Sequence, residues 1–92
     1  MSIGFIFSLD GMTEAMYDQV RKEVQPDNKL APGMVSHAGG PTSDGAAWRV
    51  VEVWESQEAA TKFFDDKLGA ALKRANINVK PEVFQVYNTM HA

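Results

Sequence analysis

The sequence predicts an α+β fold whose elements follow the order β-α-β-β-α-β. Segments that alternate apolar and polar residues indicate strands, and two segments with apolar residues at helical spacing indicate amphipathic helices. Each predicted helix begins at a Thr or Ser that can cap it. With 92 residues, 45% of them hydrophobic and 23% charged, the chain is expected to form one globular domain over residues 1–92.

The first strand is predicted over residues 3–9, where apolar residues occupy every second position: Ile3, Phe5, Phe7 and Leu9. Thr13 is the expected N-cap of the first helix, and Glu14 falls in the first turn, where the helix dipole favours a negative charge. Pro26 is expected to end this helix. Its apolar residues keep the spacing of one helix face: Met16, Tyr17, Val20 and Val24.

The second and third strands, over residues 34–38 and 46–55, are predicted to form a hairpin. The glycines and the proline of "GGPTSDG", residues 39–45, are expected to supply the backbone geometry of its loop. The third strand is apolar on both faces: one carries Trp48, Val50, Glu52 and Trp54, and the other carries Arg49, Val51, Val53 and Glu55.

The second helix is predicted to follow the cap Ser56 and to stop at Asn76, which tolerates the left-handed conformation. The fourth strand is predicted over residues 82–88, with Val83, Gln85 and Tyr87 on one face. The second helix carries one continuous apolar stripe: Ala60, Phe63, Phe64, Leu68, Ala71, Leu72 and Ala75.

This order predicts a ferredoxin-like fold, in which a four-stranded antiparallel sheet carries both helices on one face. The third strand is apolar on both faces, so the face without helices needs a cover. We therefore expect a homodimer that packs sheet against sheet and closes an α/β barrel.

Composition and charge exclude several function classes. The net charge is −3 and the basic residues are scattered, so nucleic acid is not an expected partner. The chain contains no cysteine, which excludes disulfides and thiolate metal sites. The apolar run near the N-terminus is too short for a signal peptide or a membrane span, so we expect a cytoplasmic protein without a membrane partner.

No metal or cofactor is predicted. The two histidines, His37 and His91, are far apart in sequence, so a haem would depend on His37 alone. His91 lies one residue from the end of the chain and is discounted. The "GGPTSDG" segment joins two strands instead of opening a helix, so it lacks the helix N-terminus that binds phosphate.

His37 and Glu52 are the candidate catalytic residues. His37 is the only histidine on a predicted strand, and pairing is expected to bring it close to Trp48 or Val50. Glu52 lies between Val50 and Trp54 on an apolar face, where a carboxylate is either paired or suited to acid–base chemistry. With an odd register the two would share a face, and Glu52 could orient one imidazole tautomer. The alternatives are that His37 only fixes the hairpin turn and that Glu52 binds the partner subunit.

Five aromatic residues are candidates for binding a flat apolar ligand. Trp48 and Trp54 lie six residues apart on one strand face and could form the walls of a pocket. The alternative is that they are simply core, which is favoured for Trp48. Tyr17 carries a hydroxyl that needs a partner if it is buried. Phe64 is expected to pack in the core or to cover the pocket, and Tyr87 could reach the same cavity from the last strand.

The segment "WRVVEVWES" running into a helix, after a "GM" strand and a "HxxGP…DG" turn and before "PEVFQVYN", resembles the dimeric α/β-barrel superfamily. Within it the chain is similar to antibiotic-biosynthesis monooxygenases. The resemblance implies paired subunits with a ligand pocket between sheet and helices, in a group that also includes haem-degrading enzymes and isomerases. Trp54 matches a Trp that works with an Asn and with a Tyr or His in those enzymes. Here Val50 stands on the same face four residues before Trp54, and Asn88 is the only Asn on a predicted strand.

Two functions from different classes follow. One is a cofactor-independent monooxygenase or isomerase for an aromatic or polyketide-like substrate, in which a substrate carbanion itself reduces dioxygen. The other is a non-catalytic ligand-binding or structural dimer. A pocket of about 300 Å³ lined by His37, Glu52 and Trp54 favours the enzyme. A filled interior with His37 bonded to its own loop favours the second function.

Overall fold

The computed structural model describes residues 2–77 and 79–90, so His91 lies outside the described residues. Four antiparallel strands form one sheet in the order β2-β3-β1-β4. The ferredoxin-like α+β arrangement is confirmed, because each helical connection joins two strands that have a third strand between them. The elements are β1 (Ile3–Asp10), α1 (Glu14–Val24), β2 (Met34–Pro41), β3 (Ala47–Trp54), α2 (Gln57–Phe63), a π-helical turn (Phe64–Leu68), α3 (Gly69–Arg74) and β4 (Glu82–Gln85).

Both predicted helix caps are present. The Thr13 hydroxyl accepts a hydrogen bond from the backbone N–H of Met16 at 3.2 Å, and the Ser56 hydroxyl accepts one from that of Ala59 at 3.2 Å. Each bond satisfies a backbone donor that the first turn of a helix leaves free. The two caps therefore fix where each helix leaves the sheet.

The second helix differs from the regular helix that was predicted. It is α-helical to Phe63, passes through the π-helical turn and resumes as α3, ending before Asn76, whose φ is 57°. A π turn holds an extra residue, which rotates the side chains at its start away from the stripe that α-helical spacing predicts. Phe64 is consequently 40% exposed, and the prediction that it packs in the core is wrong.

The hairpin turn is shorter than predicted. β2 continues through Gly39 and Gly40 to Pro41, so these residues lie in the strand and not in the loop. The turn occupies residues 42–46, where Thr42 donates its N–H to the Ala47 carbonyl at 2.9 Å and Gly45 has a φ of 73°. Only this last glycine of the segment needs the conformational freedom that was assigned to the whole stretch.

The last strand is shorter than predicted and ends at Gln85. It pairs with β1 from Glu82 opposite Ile6 to Gln85 opposite Ile3, where β1 begins and offers no further strand residue. Tyr87 lies beyond this end with its side chain fully exposed.

The two faces of the sheet differ in cover. Trp48, Val50, Glu52 and Trp54 are buried on the inner face, against α1 and the α2–α3 helix. On the outer face Val51 and Phe84 are each 41% exposed. The helices therefore leave an apolar outer face, and the second subunit expected there stays a prediction.

Candidate active site

His37 and Glu52 meet directly across the β2–β3 hairpin. The register pairs His37 with Glu52, and His37 Nδ1 lies 3.0 Å from Glu52 Oε2. Val50 and Trp48, the neighbours first expected for His37, instead face Gly39 and Pro41. The reason is the position of the turn. The loop begins at residue 42 and not at residue 39 as predicted, so each β2 residue pairs with a β3 residue further along the chain than expected. The register is odd, so the two candidate catalytic residues share a face.

Glu52 is the only charged side chain that is buried among the described residues, with 5% of its surface exposed. Its Oε1 accepts a hydrogen bond from Trp54 Nε1 at 3.0 Å, and its Oε2 is bonded to His37. A buried carboxylate is tolerated when donors satisfy it, and here both oxygens have one. These two partners also fix the orientation of the carboxylate group.

Tyr17 of α1 completes the arrangement, because its hydroxyl lies 2.7 Å from His37 Nε2. Burial raises the pKa of the Tyr17 phenol above 10.0; the nearby Arg21 opposes this shift, while Glu52 and Asp18 add to it. The phenol therefore keeps its proton and donates a hydrogen bond to Nε2. With Nε2 as the acceptor, the ring hydrogen of the neutral imidazole lies on Nδ1, facing Glu52. Trp54, Glu52, His37 and Tyr17 form a continuous hydrogen-bonded series, named here the polar chain.

Gly39 makes room for Tyr17, a role that the sequence reasoning missed. A Cβ on Gly39 would lie 2.9 Å from the Tyr17 hydroxyl and 3.1 Å from its ring. Gly39 stands two residues after His37 on the same strand, so both face the helices. The spacing of His37 and Gly39 was the available signal in the sequence. A glycine next to a histidine on the same strand face leaves space for a side chain from a helix to reach the imidazole.

Trp48 is placed differently from Trp54. Its ring stacks on Tyr17, with centroids 5.1 Å apart and an interplanar angle of 27°. Its Nε1 is buried and has no hydrogen-bond partner in the described part of the chain. Trp48 thus supports Tyr17 through apolar contact and adds no polar group to the site.

Two cavities lie between sheet and helices, and Glu52 lines both. The larger, of about 270 Å³, is also lined by Trp54, Phe64 and the π-helical turn residue Leu68. The smaller, of about 60 Å³, is also lined by His37 and Tyr17. The single pocket envisaged for His37, Glu52 and Trp54 is therefore divided. His37 is also not bonded to its own loop, and the interior is not filled.

The remaining predicted residues lie at the margins or outside this region. Phe64 stands partly exposed at the rim of the larger cavity, as a pocket cover would. Trp48 and Tyr87 line neither cavity. In the described ranges, no group of three His, Cys, Asp or Glu side chains could hold a metal ion. No helix in those ranges is long and apolar enough to cross a membrane.

Solved structures with the same fold were found. Rv0793 of Mycobacterium tuberculosis has a TM-score of 0.79 at 12% identity, covering 99% of this chain and 100% of that one. A Chloroflexus aurantiacus protein, provisionally named an antibiotic biosynthesis monooxygenase, has a TM-score of 0.76 at 16% identity, with 99% and 98% covered. The cofactor-independent oxygenase SnoaB of Streptomyces nogalater has a TM-score of 0.72 at 14% identity, with 97% and 96% covered.

This chain shares its fold with these three proteins. No family model matches it, and no curated protein matches its sequence. At these identities the fold is shared while individual site residues are free to differ. The function has to be argued from the polar chain and the two cavities.

Proposed function

We propose that this protein is a cofactor-independent oxygenase that acts on a small aromatic, polyketide-like substrate in the larger cavity. The observation that carries the proposal is the position of Glu52. Its buried carboxylate is held by Trp54 and His37 and lies in the wall of an apolar cavity of about 270 Å³. A fixed base beside an apolar cavity suits the removal of a weakly acidic proton. SnoaB, which shares the fold, is a cofactor-independent oxygenase.

The lining of the larger cavity favours a neutral substrate. Glu52 is the only ionisable side chain among the described residues that line it, so an anionic group would be repelled and would find no cation. Five aromatic rings line the cavity and are available to a flat molecule: Phe5, Phe7, Trp54, Phe63 and Phe64. Gln57 and Thr61 of α2 offer hydrogen bonds to a ring hydroxyl or carbonyl.

The proposed reaction begins when the Glu52 carboxylate takes a proton from a methylene group that the aromatic system acidifies. The electron pair of that C–H bond stays on carbon, and the carbanion passes one electron to dioxygen. The substrate radical and superoxide then combine to form a C–O bond. The peroxide regains the proton from Glu52, and O–O cleavage with loss of the second hydrogen releases water and leaves a carbonyl. One methylene and one dioxygen give one carbonyl and one water, so no other reductant enters.

His37 and Tyr17 act as positioning residues in this scheme. His37 Nδ1 is directed at Glu52 and Tyr17 occupies its Nε2, so the imidazole holds one tautomer and one orientation. This arrangement keeps the carboxylate aimed at the larger cavity while it gains and returns a proton. The same logic makes Trp54 a second anchor, on the other carboxylate oxygen.

We further propose that a second copy of the chain covers the outer face of the sheet. The support is the exposure of Val51 and Phe84 on that face. The Phe84 ring packs over Gly4 and so lies along the surface of the sheet. An apolar sheet face without helices is stabilised by burial against a like surface. Sedimentation of Val51→Lys against Leu30→Lys, a change at an exposed position away from the sheet, tests this. Dissociation should follow the first change alone, and a monomeric parent protein at micromolar concentration would refute it.

The oxygenase is tested by dioxygen uptake with anthrone-like substrates, comparing Glu52→Gln with Glu55→Gln. Glu55 is exposed just beyond β3, so its change is the matched control. Loss of the base should lower the rate about 100-fold or more, and the control should keep it. Product formed without dioxygen uptake would indicate an isomerase instead. Uptake at the background rate in the parent protein, with a bound phenol, would indicate a ligand-binding protein.

A further inference from the structure

The smaller cavity is distinct from the space proposed for the organic substrate. It measures about 60 Å³ and lies between β1, β3 and the helices, with Val20, Val24, Val50 and Leu72 among its walls. None of these four residues lines the larger cavity. We infer that this smaller cavity is the binding site for dioxygen, an inference that rests on the proposed oxygenase function.

The size of the smaller cavity selects a diatomic gas. An apolar cavity that binds benzene measures about 150 Å³, so an aromatic ring does not fit in 60 Å³. A water molecule would fit, since it needs only roughly 10–15 Å³, but it also needs two to four polar partners. Among the polar residues of the wall, His37, Glu52 and Tyr17 bond to one another. The other two already donate to backbone carbonyls, Arg21 to that of Gln25 and Gln25 to that of Lys29. A small apolar molecule therefore gains more from this site than water does.

The position of the smaller cavity suits the reaction. The two cavities share part of their walls, so a guest in one is separated from a guest in the other only by side chains that line both: Phe7, Glu52, Phe63, Leu68 and Val79. The base that creates the carbanion thus borders both compartments. Dioxygen held there can accept the first electron without competing with the ring for space.

The smaller cavity also shares lining residues with a surface groove. Arg21, Gln25 and His37 line both the cavity and the groove, which measures about 180 Å³ and lies beside Lys29 and Leu30. The larger cavity is instead bordered by Gln57, Thr61 and Phe64 of the second helix. Dioxygen and the organic substrate would therefore enter from different sides, and a bound ring would not block the gas.

Dissolved dioxygen is paramagnetic, so it speeds the relaxation of methyl groups that it contacts, and this test needs no substrate and no turnover. In the parent protein, Val20 and Val24 methyls should show about twice the enhancement of the buried Ala47 methyl, which lines neither cavity. Val50→Ile adds a methyl group to the cavity wall and should at least halve that enhancement. Val51→Ile makes the same change on the outer face and should leave it unchanged. If Val50→Ile does not fold, Val20→Ile, read at Val24, fills the cavity from the helix side.

Equal enhancement at Val20, Val24 and Ala47 in the parent protein would overturn the inference, as would an unchanged response in the cavity-filling variant. Turnover supplies a second measurement: Val50→Ile should raise the KM for dioxygen several-fold and leave the KM for the organic substrate alone, while Val51→Ile changes neither. The two proposals fail separately. Dioxygen binding without turnover would refute the oxygenase proposal and support the dioxygen site. Turnover without enhancement at Val20 and Val24 would refute the dioxygen site and support the oxygenase.

Discussion

Trp54 and Trp48 lie on one face of one strand, yet the two ends of that strand have different chemistry. Trp54 is 1% exposed, packs against Phe63 with ring centroids 5.3 Å apart and donates to Glu52. Trp48 is 8% exposed and stacks on Tyr17, and its indole N–H has no partner within the described residues. The Trp54 N–H is part of the site. The buried Trp48 N–H instead lowers the stability of the fold, and the packing of its ring has to compensate for that loss.

This difference shows that the polar chain, and not the aromatic content of β3, defines the candidate site. Both tryptophans bury large apolar surfaces, and by that measure they are equivalent. Only Trp54 fixes an oxygen of Glu52 and borders the larger cavity. Trp48 affects the site indirectly, because its ring stacks on the ring of Tyr17.

The largest effect is expected from exchanging each tryptophan for phenylalanine. Trp54→Phe removes a donor from a buried carboxylate and opens space in the core, which should lower the free energy of unfolding by about 2–4 kcal/mol. Trp48→Phe removes a donor for which residues 2–77 and 79–90 supply no partner. That gain offsets part of the lost packing, so the cost should stay within about 1 kcal/mol. Denaturant unfolding monitored by circular dichroism measures both. Equal losses would mean that the Trp54–Glu52 bond adds nothing to stability.

The fold was largely predictable from the sequence, because its signals are local. Alternation in β1, the caps Thr13 and Ser56, and the left-handed Asn76 each depend on residues within a few positions. The errors at the last strand and in the second helix have other causes. β4 stops at Gln85 because β1 begins at Ile3, and the π-helical turn at Phe64 breaks a stripe that regular spacing predicts.

The candidate site was predictable only in part. His37 and Glu52 were identified because each is the unusual residue of its strand, and an odd register then brings them together. The contact with Tyr17 was not predictable, because it requires the angle at which α1 crosses the sheet and the space above Gly39. The division into two cavities depends on side-chain packing, which composition and periodicity do not predict.

A smaller effect should separate Gly39 from its neighbour Gly40. Alanine at either position stabilises by restricting the unfolded chain, but a Cβ at Gly39 forces Tyr17 away from His37, whereas none of the surrounding atoms lies within 4 Å of one at Gly40. Gly39→Ala should therefore be less stable than Gly40→Ala by about 1 kcal/mol, the value of one hydrogen bond. Unfolding titrations and the ¹⁵N shift of His37 Nε2 measure this. Identical shifts in both variants would show that Tyr17 does not need the space.

The smallest effect should appear as a pH dependence at the Tyr17 end of the polar chain. Burial raises the pKa of Tyr17 above its ordinary 10.0, so the folded state keeps a proton that the unfolded state releases in that range. The contribution to stability is therefore complete below pH 10 and is lost as pH rises through the folded pKa. The free energy of unfolding should fall more steeply above pH 10 in the parent protein than in Tyr17→Phe, while Trp48→Phe, which keeps the phenol, should follow the parent. Parallel curves for the parent and Tyr17→Phe would mean that the phenol does not hold its proton beside His37, and the tautomer that directs Nδ1 at Glu52 would then lose its support.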